Sequence, residues 1–148
     1  MIKIVCVGKI KEKFFREAIE EYEKRLSKYT KLEIIEIHDE SNGNVLEKEA
    51  NNILKNIREK DYVIDLEIEG NILSSEQLAT KIDNIQLNYS NITFVIGGSY
   101  GLSKLVKERS NYHLSFSKMT FPHQLFRIIL LEQIYRSFKI NNNETYHK

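Results

Sequence analysis

Apolar residues along the chain follow two alternating patterns. Short runs rich in β-branched residues predict strands, and apolar residues spaced three or four positions apart predict amphipathic helices between them. The predicted strands are residues 2–8, 32–37, 62–68, 92–96 and 112–116, and the predicted helices are residues 15–29, 46–57, 74–85 and 122–138. Because parallel strands need helical crossovers, this alternation predicts an α/β fold with a mainly parallel sheet and helices on both faces.

The chain has no linker that would separate domains. A Glu69-Gly70-Asn71 turn is predicted after the third strand, and Ser74 with Gln77 has the sequence of a capping box. With 148 residues, 41% hydrophobic and 29% charged, the sequence is typical of one globular domain spanning residues 1–148. It has neither a signal peptide nor an apolar run long enough to span a membrane, so we expect a cytoplasmic protein. The lone Cys6 is expected to be a buried core thiol.

Charge is distributed unevenly although the formal net charge is only +1. Residues 91–148 carry eight Lys and Arg against three Asp and Glu, and they also contain His113, His123 and His147. Such a basic segment is compatible with a phosphate-rich partner.

A glycine-rich turn, Gly97-Gly98-Ser99-Tyr100-Gly101, follows the fourth strand. Parallel sheets bind ligands beyond the carboxyl ends of their strands, so this turn is a candidate binding site. It matches neither the dinucleotide fingerprint nor a phosphate loop, but it does fit the G-x-S-x-G nucleophile elbow of serine hydrolases. Chain order then leaves Glu108 with any later histidine, or Glu132 or Glu144 with His147, as partners for Ser99.

The last predicted helix is apolar nearly all round in its first half, which predicts burial on more than one side. In so small a protein a second subunit is the simplest cover, so we expect a homodimer, with burial by the chain's own sheet and helices as the alternative. His123 and Arg127 share a face of this helix, while Arg136 is spaced for an ion pair with Glu132. The tail ends in Tyr146-His147-Lys148, which suits base stacking and phosphate contact or is simply a frayed end.

Several of these motifs together resemble the RlmH family of SPOUT methyltransferases, which modify large-subunit ribosomal RNA. The resemblance covers nearly the whole chain. It rests on the opening Cys6-Val7-Gly8-Lys9 turn, Leu66 with Gly70, the Ile96-Gly97-Gly98 turn, residues 114–123, Glu132-Gln133 with Tyr135-Arg136, and residues 146–148.

The resemblance implies a trefoil knot in the carboxyl-terminal part, about residues 62–148, and a dimer with the site at its interface. It implies that S-adenosylmethionine binds in a bent conformation and that no metal takes part. The implied cofactor-binding residues are Leu66, Gly97, Phe116, Ser117, Lys118, Met119, Thr120 and Phe121.

The implied reaction is methylation of N3 of a pseudouridine in helix 69 of 23S rRNA, on assembled ribosomes. His147, His123 or solvent would accept the N3 proton, and Arg127 or Arg136 would stabilise the negative charge on the base. We expect Arg136, Tyr146 and Lys148 to contact RNA, with Tyr146 and His147 completing the pocket of the other subunit. The loop at residues 39–46 is shorter than in similar family members. A non-catalytic ribosome-binding domain remains an alternative.

Overall fold

The computed structural model describes all residues from Met1 to Lys148. Five strands and five helices alternate along the chain. The strands are β1 (Ile2–Val7), β2 (Leu32–Ile37), β3 (Tyr62–Ile72), β4 (Ile92–Ile96) and β5 (Tyr112–Ser115). The helices are α1 (Lys13–Leu26), α2 (Val45–Lys55), α3 (Ser75–Gln86), α4 (Lys104–Arg109) and α5 (His123–Asn141).

The strands form one sheet in the order β2-β1-β4-β3-β5, and every neighbouring pair is parallel. Strand β1 shows why helices cover both faces. Ile2, Ile4 and Cys6 point into one apolar cluster with α1, α3 and α5, whereas Val5 and Val7 point into a second cluster with α2 and α4. The predicted α/β class with helices on both faces is confirmed.

Strand β3 differs from the sequence prediction because it continues to Ile72 instead of turning at residues 69–71. Its pairing with β5 shifts register between Leu66 and Asn71, so the intervening residues bulge. The Asn71 side chain donates a hydrogen bond to the His113 carbonyl over 3.0 Å. A Cβ atom at Gly70 would lie 2.9 Å from backbone atoms of β5, so this close approach requires glycine. The predicted turn is therefore wrong, since pairing with β5 keeps the segment extended.

Helix α4 is absent from the sequence prediction, since six residues give too little periodicity to recognise. Ser103 caps it by accepting a hydrogen bond from the Val106 amide. The predicted capping box of Ser74 and Gln77 is confirmed at the start of α3.

Helix α5 packs against α1 and α3 of the same chain, and its residues Leu130, Leu131 and Ile134 are fully buried there. The alternative of burial within the chain is therefore correct for the middle and end of this helix. The first turns are less covered, and Leu125 is 37% exposed. Cys6 is buried as expected, and burial raises the pKa of its thiol to about 12. None of the helices combines the length and apolar composition that crossing a bilayer requires.

Candidate functional site

A cavity of about 440 Å³ lies beyond the carboxyl end of β4, between the second half of β3 and the segment after β5. Its wall contains seven of the eight residues expected to bind a cofactor: Leu66, Gly97, Phe116, Ser117, Met119, Thr120 and Phe121. Lys118 does not line it. The topology explains the convergence, since β3 lies between β4 and β5 and the carboxyl ends of parallel strands share one edge.

The glycine turn after β4 has the tight geometry that its sequence suggests. The Gly101 amide donates to the Gly98 carbonyl over 3.0 Å, and Gly101 has a φ of 78°, which favours glycine. A Cβ atom at Gly97 would lie 2.5 Å from the Gly101 carbonyl oxygen, closer than van der Waals contact allows. At Gly97, Gly98 and Gly101 the turn thus presents backbone to the cavity wall.

The segment from Phe116 to Phe121 is fixed at both ends. The Ser115 hydroxyl donates to the Ile68 carbonyl over 2.8 Å, and the Met119 amide donates to the Ser117 hydroxyl over 3.0 Å. The rings of Phe116 and Phe121 pack on Phe126 of α5, with centroid separations of 5.1 and 5.7 Å. This segment therefore forms a preformed apolar wall.

The opposite wall carries charged groups that the sequence pattern does not indicate. Glu67 and Glu69 come from the bulged part of β3, and Lys107 of α4 lies 3.4 Å from Glu67. His123, the first residue of α5, also lines the cavity. The site thus combines aromatic and acidic surfaces, with one histidine at its edge.

Behind Glu67 lies a polar cluster that the sequence did not reveal. The His113 Nδ1 atom is 2.8 Å from Asp65 Oδ1 and 2.8 Å from Glu67 Oε2. Burial and the adjacent Glu67 raise the pKa of Asp65 to about 7, although His113 opposes the shift. The hydrogen bond to Asp65 raises the pKa of His113. Finding this cluster requires the register of β3 against β5, which periodicity does not give.

The structure contradicts the serine hydrolase alternative. Ser99 is exposed in its turn, and none of its three candidate acids contacts a histidine. Glu108 pairs with Lys104 at 3.7 Å, Glu132 with Arg136 at 2.8 Å, and Glu144 with Lys139 at 3.0 Å. Because none of the acids that follow Ser99 orients a histidine, the Ser-His-acid arrangement that chain order allowed is absent.

Arg127 lies outside the cavity wall, although the sequence suggested a catalytic role. Its guanidinium is buried, with Nη1 2.7 Å from Glu36 Oε2 and Nη2 donating to the Gly8 carbonyl over 3.1 Å. These contacts connect α5 to the ends of β1 and β2. Within this chain, the contacts with Glu36 and Gly8 support a structural role for Arg127.

The tail folds back on its own chain, away from the cavity. The Tyr146 hydroxyl donates to Glu132 over 2.7 Å, and the Arg136 guanidinium lies 4.8 Å from the Tyr146 ring centre. Arg136 Nη1 is 3.0 Å from Nδ1 of His147, whose Nε2 contacts Glu76. Since arginine only donates, His147 accepts at Nδ1 and carries its hydrogen on Nε2. Lys148 is exposed. The tail is therefore held in place, and its Tyr146 and His147 form one network with Arg136 of α5.

Comparison with known proteins identifies relatives that are similar in sequence and a solved structure with a similar fold. The chain is 55% identical to a putative ribosomal RNA large subunit methyltransferase H of Methanococcus maripaludis and 56% identical to that of Methanococcus vannielii. It is 53% identical to a ribosomal RNA large subunit methyltransferase H of Clostridium botulinum. Each alignment spans 157 positions and covers 99% of both chains, so these relatives are longer than this chain of 148 residues.

A solved structure of a probable methylase family protein from Haemophilus influenzae has the same fold. The TM-score is 0.60 at 16% identity, over 99% of this chain and 70% of that one. Residues 1–147 match the family described as "Predicted SPOUT methyltransferase". This match and the full-length relatives show that the chain belongs to the SPOUT methyltransferase family.

Proposed function

We propose that this protein uses S-adenosylmethionine to methylate large-subunit ribosomal RNA, at N3 of a pseudouridine in helix 69 of 23S rRNA. The observation that carries the proposal is the cavity beside the glycine turn, where seven of the eight expected cofactor residues meet. The family assignment and the names of the relatives support the reaction and the kind of RNA. The position within the RNA rests on the sequence resemblance.

The wall of the cavity fits this cofactor. About 440 Å³ lies within the usual range for small-molecule sites. The rings of Phe116, Phe121 and Phe126 suit a purine, while the carboxylates of Glu67 and Glu69 suit the positive charge of a sulfonium. Backbone groups of the Gly97 turn and of the Phe116–Phe121 segment would hold the polar atoms. When bound, S-adenosylmethionine supplies an electrophilic methyl group.

The protein must also receive the proton that leaves N3 of the base. His123 lines the cavity and makes no hydrogen bond within the chain, so its imidazole is free to accept a proton. In His147 both ring nitrogens are engaged, with Arg136 and Glu76. For His147 to act as the base, it must first leave these partners. His123 is thus the better placed candidate in this conformation.

Stabilisation of the negative charge that develops on the RNA base is assigned to Arg136 rather than to Arg127. The guanidinium of Arg127 is committed to Glu36 and Gly8 and is 2% exposed, which leaves it no route to an RNA base. Arg136 is partly exposed and lies beside Tyr146 and His147, two groups suited to contacting RNA. Lys148 would add a phosphate contact.

The proposed active form is a homodimer, in which the tail of one subunit completes the cavity of the other. Two features support it: the tail does not line its own chain's cavity, and the first turns of α5 leave Leu125 partly exposed. The same proposal includes a trefoil knot around residues 62–148 and an effect of the shorter loop at residues 39–46 on ribosome docking.

The experiment is methylation of ribosomes from a strain that lacks this modification. The purified protein and S-adenosylmethionine with a labelled methyl group are incubated with assembled ribosomes and with free 23S rRNA. We expect label in 23S rRNA of the assembled ribosomes, on one pseudouridine identified by mass spectrometry. Label on another RNA, or on another atom of the base, would refute the corresponding part of the proposal.

A further inference from the structure

The cluster of Asp65, Glu67 and His113 contains more hydrogen-bond acceptors than donors. A single nitrogen, His113 Nδ1, faces both oxygens of Asp65 at 2.8 and 2.9 Å and Glu67 Oε2 at 2.8 Å. That nitrogen carries at most one hydrogen, so it cannot serve both carboxylates well. The Asp65 side chain is fully buried and accepts no hydrogen bond other than that from His113. When both carboxyl groups are ionised, they thus face each other with one shared hydrogen between them.

We propose that Asp65, Glu67 and His113 bind one divalent cation of the zinc class on the wall of the cavity. Their ligand atoms all lie within 4.8 Å of one another. Imidazole nitrogen with carboxylate oxygens is a ligand set that Zn²⁺ accepts. A cation in place of the hydrogen on Nδ1 interacts with all three side chains at once, which one hydrogen cannot do.

The geometry requires only a small expansion. Bonds of about 2.0–2.2 Å in a tetrahedral site separate neighbouring ligands by roughly 3.3 Å. The present separations of 2.8 Å from Nδ1 to each carboxylate would therefore open by about half an ångström. Asp65 is held in the sheet, but Glu67 lies in the bulge of β3 and the His113 side chain is 42% exposed, so both can adjust.

The surroundings also leave room for a fourth ligand. Glu67 lines the cavity, so a bound ion would have water or a cavity ligand beside it. The Lys107 ammonium, 3.4 Å from Glu67, would be displaced, and its side chain is half-exposed and free to turn into solvent. Metal binding would thereby change the charge of the acidic wall from negative towards positive. The site makes the cavity sensitive to the concentration of free divalent cations.

The test is calorimetric titration of the full chain with Zn²⁺, after treatment with a chelator and its removal. We expect one binding event per chain that weakens about tenfold or more in Glu67→Gln and in His113→Asn. These two side chains are partly exposed, so both variants should fold, which circular dichroism will verify. Asp65→Asn provides a third variant, isosteric at the buried position.

A matched control distinguishes this site from adventitious binding to surface histidines. His38 is an exposed histidine whose Nε2 lies 3.8 Å from Glu40 Oε2, outside the cluster. We expect His38→Asn to bind Zn²⁺ as the unaltered chain does. The proposal is overturned if the chain shows no binding tighter than about 1 mM, or if His113→Asn and Glu67→Gln retain the full affinity. Cofactor affinity is measured separately, so failure here leaves the proposed methyltransferase function untouched.

Discussion

Arg127 of α5 and Glu36 of β2, 91 residues apart in sequence, form an ion pair with Nη1 2.7 Å from Oε2. The same guanidinium donates to the Gly8 carbonyl at the end of β1. One buried side chain thus connects the longest helix to two neighbouring strands. From these two contacts we infer that Arg127 stabilises the fold near the cavity and does not contact the reacting base.

Replacing Arg127 with methionine is therefore expected to lower the free energy of unfolding by about 2 kcal/mol, since it removes the ion pair with the partly exposed Glu36 and the hydrogen bond to the Gly8 carbonyl. Urea denaturation measures this loss. Arg136→Met, which breaks a partly exposed pair with Glu132, should lower it by about 1 kcal/mol or less. An Arg127→Met protein as stable as the original but unable to methylate would instead assign Arg127 to catalysis.

The tail is expected to act on the RNA and not in cofactor binding, because none of the eight residues expected to bind the cofactor lies in it. Deleting residues 146–148 should reduce methylation to background while the Kd for S-adenosylmethionine changes by no more than about twofold. Thr145→Ala is the control, since Thr145 is exposed and makes no hydrogen bond. Full activity of the truncated protein would disprove a role for Tyr146 and His147.

Two substitutions in the glycine turn separate the methyltransferase from a hydrolase. Gly97→Ala places a methyl group 2.5 Å from the Gly101 carbonyl oxygen, so the turn must shift and methylation should fall about tenfold or more. Ser99→Ala alters an exposed side chain and should leave methylation within about twofold of the original. Loss of activity in Ser99→Ala, with cofactor affinity unchanged, would show that the hydroxyl takes part in the chemistry.

Glu49 of α2 is expected to make stability depend on pH. Its side chain is buried, its Oε1 has no hydrogen-bond partner, and burial raises its pKa from 4.5. A raised pKa in the folded state means that its stabilising contribution is complete below pH 4.5 and is lost as pH rises through the folded value. Glu49→Gln, which carries no charge at any pH, should therefore gain stability relative to the original as pH rises.

Thermal unfolding between about pH 4.5 and neutrality measures the Glu49 effect. Glu47→Gln on the same helix is the control, because Glu47 is exposed. A difference in Tm between Glu49→Gln and the original that stays constant over this range would contradict the predicted ionisation of a buried carboxylate.

The pattern of apolar and polar residues predicts most of this fold, because strands that are buried on both faces of a parallel sheet appear in the sequence as short, almost continuous apolar runs. In β1 all six residues from Ile2 to Val7 are buried, alternating between two clusters. The pattern fails at residues 69–71, where a polar, glycine-containing segment remains extended because β5 supplies a partner. Local sequence cannot indicate a partner more than 40 residues away.

The sequence also indicated part of the cavity wall. Motif resemblance pointed to the glycine turn at Gly97 and to residues 116–121, because each of these motifs is contiguous in sequence. It could not reveal that Asp65 meets His113, since that contact depends on strand order and register. Arg127 shares a helix face with His123, yet its buried partner Glu36 lies on a distant strand. Helical spacing predicts which residues share a face of the helix, but it does not predict which residues of other elements pack against that face.

The most direct test of the central claim, that the cavity binds S-adenosylmethionine for methyl transfer, is calorimetric titration of the purified chain with this cofactor. We expect saturable binding with about one cofactor per chain, weakened about tenfold or more by Gly97→Ala and unchanged by Ser99→Ala. A folded chain that shows no binding at about millimolar cofactor would contradict the claim.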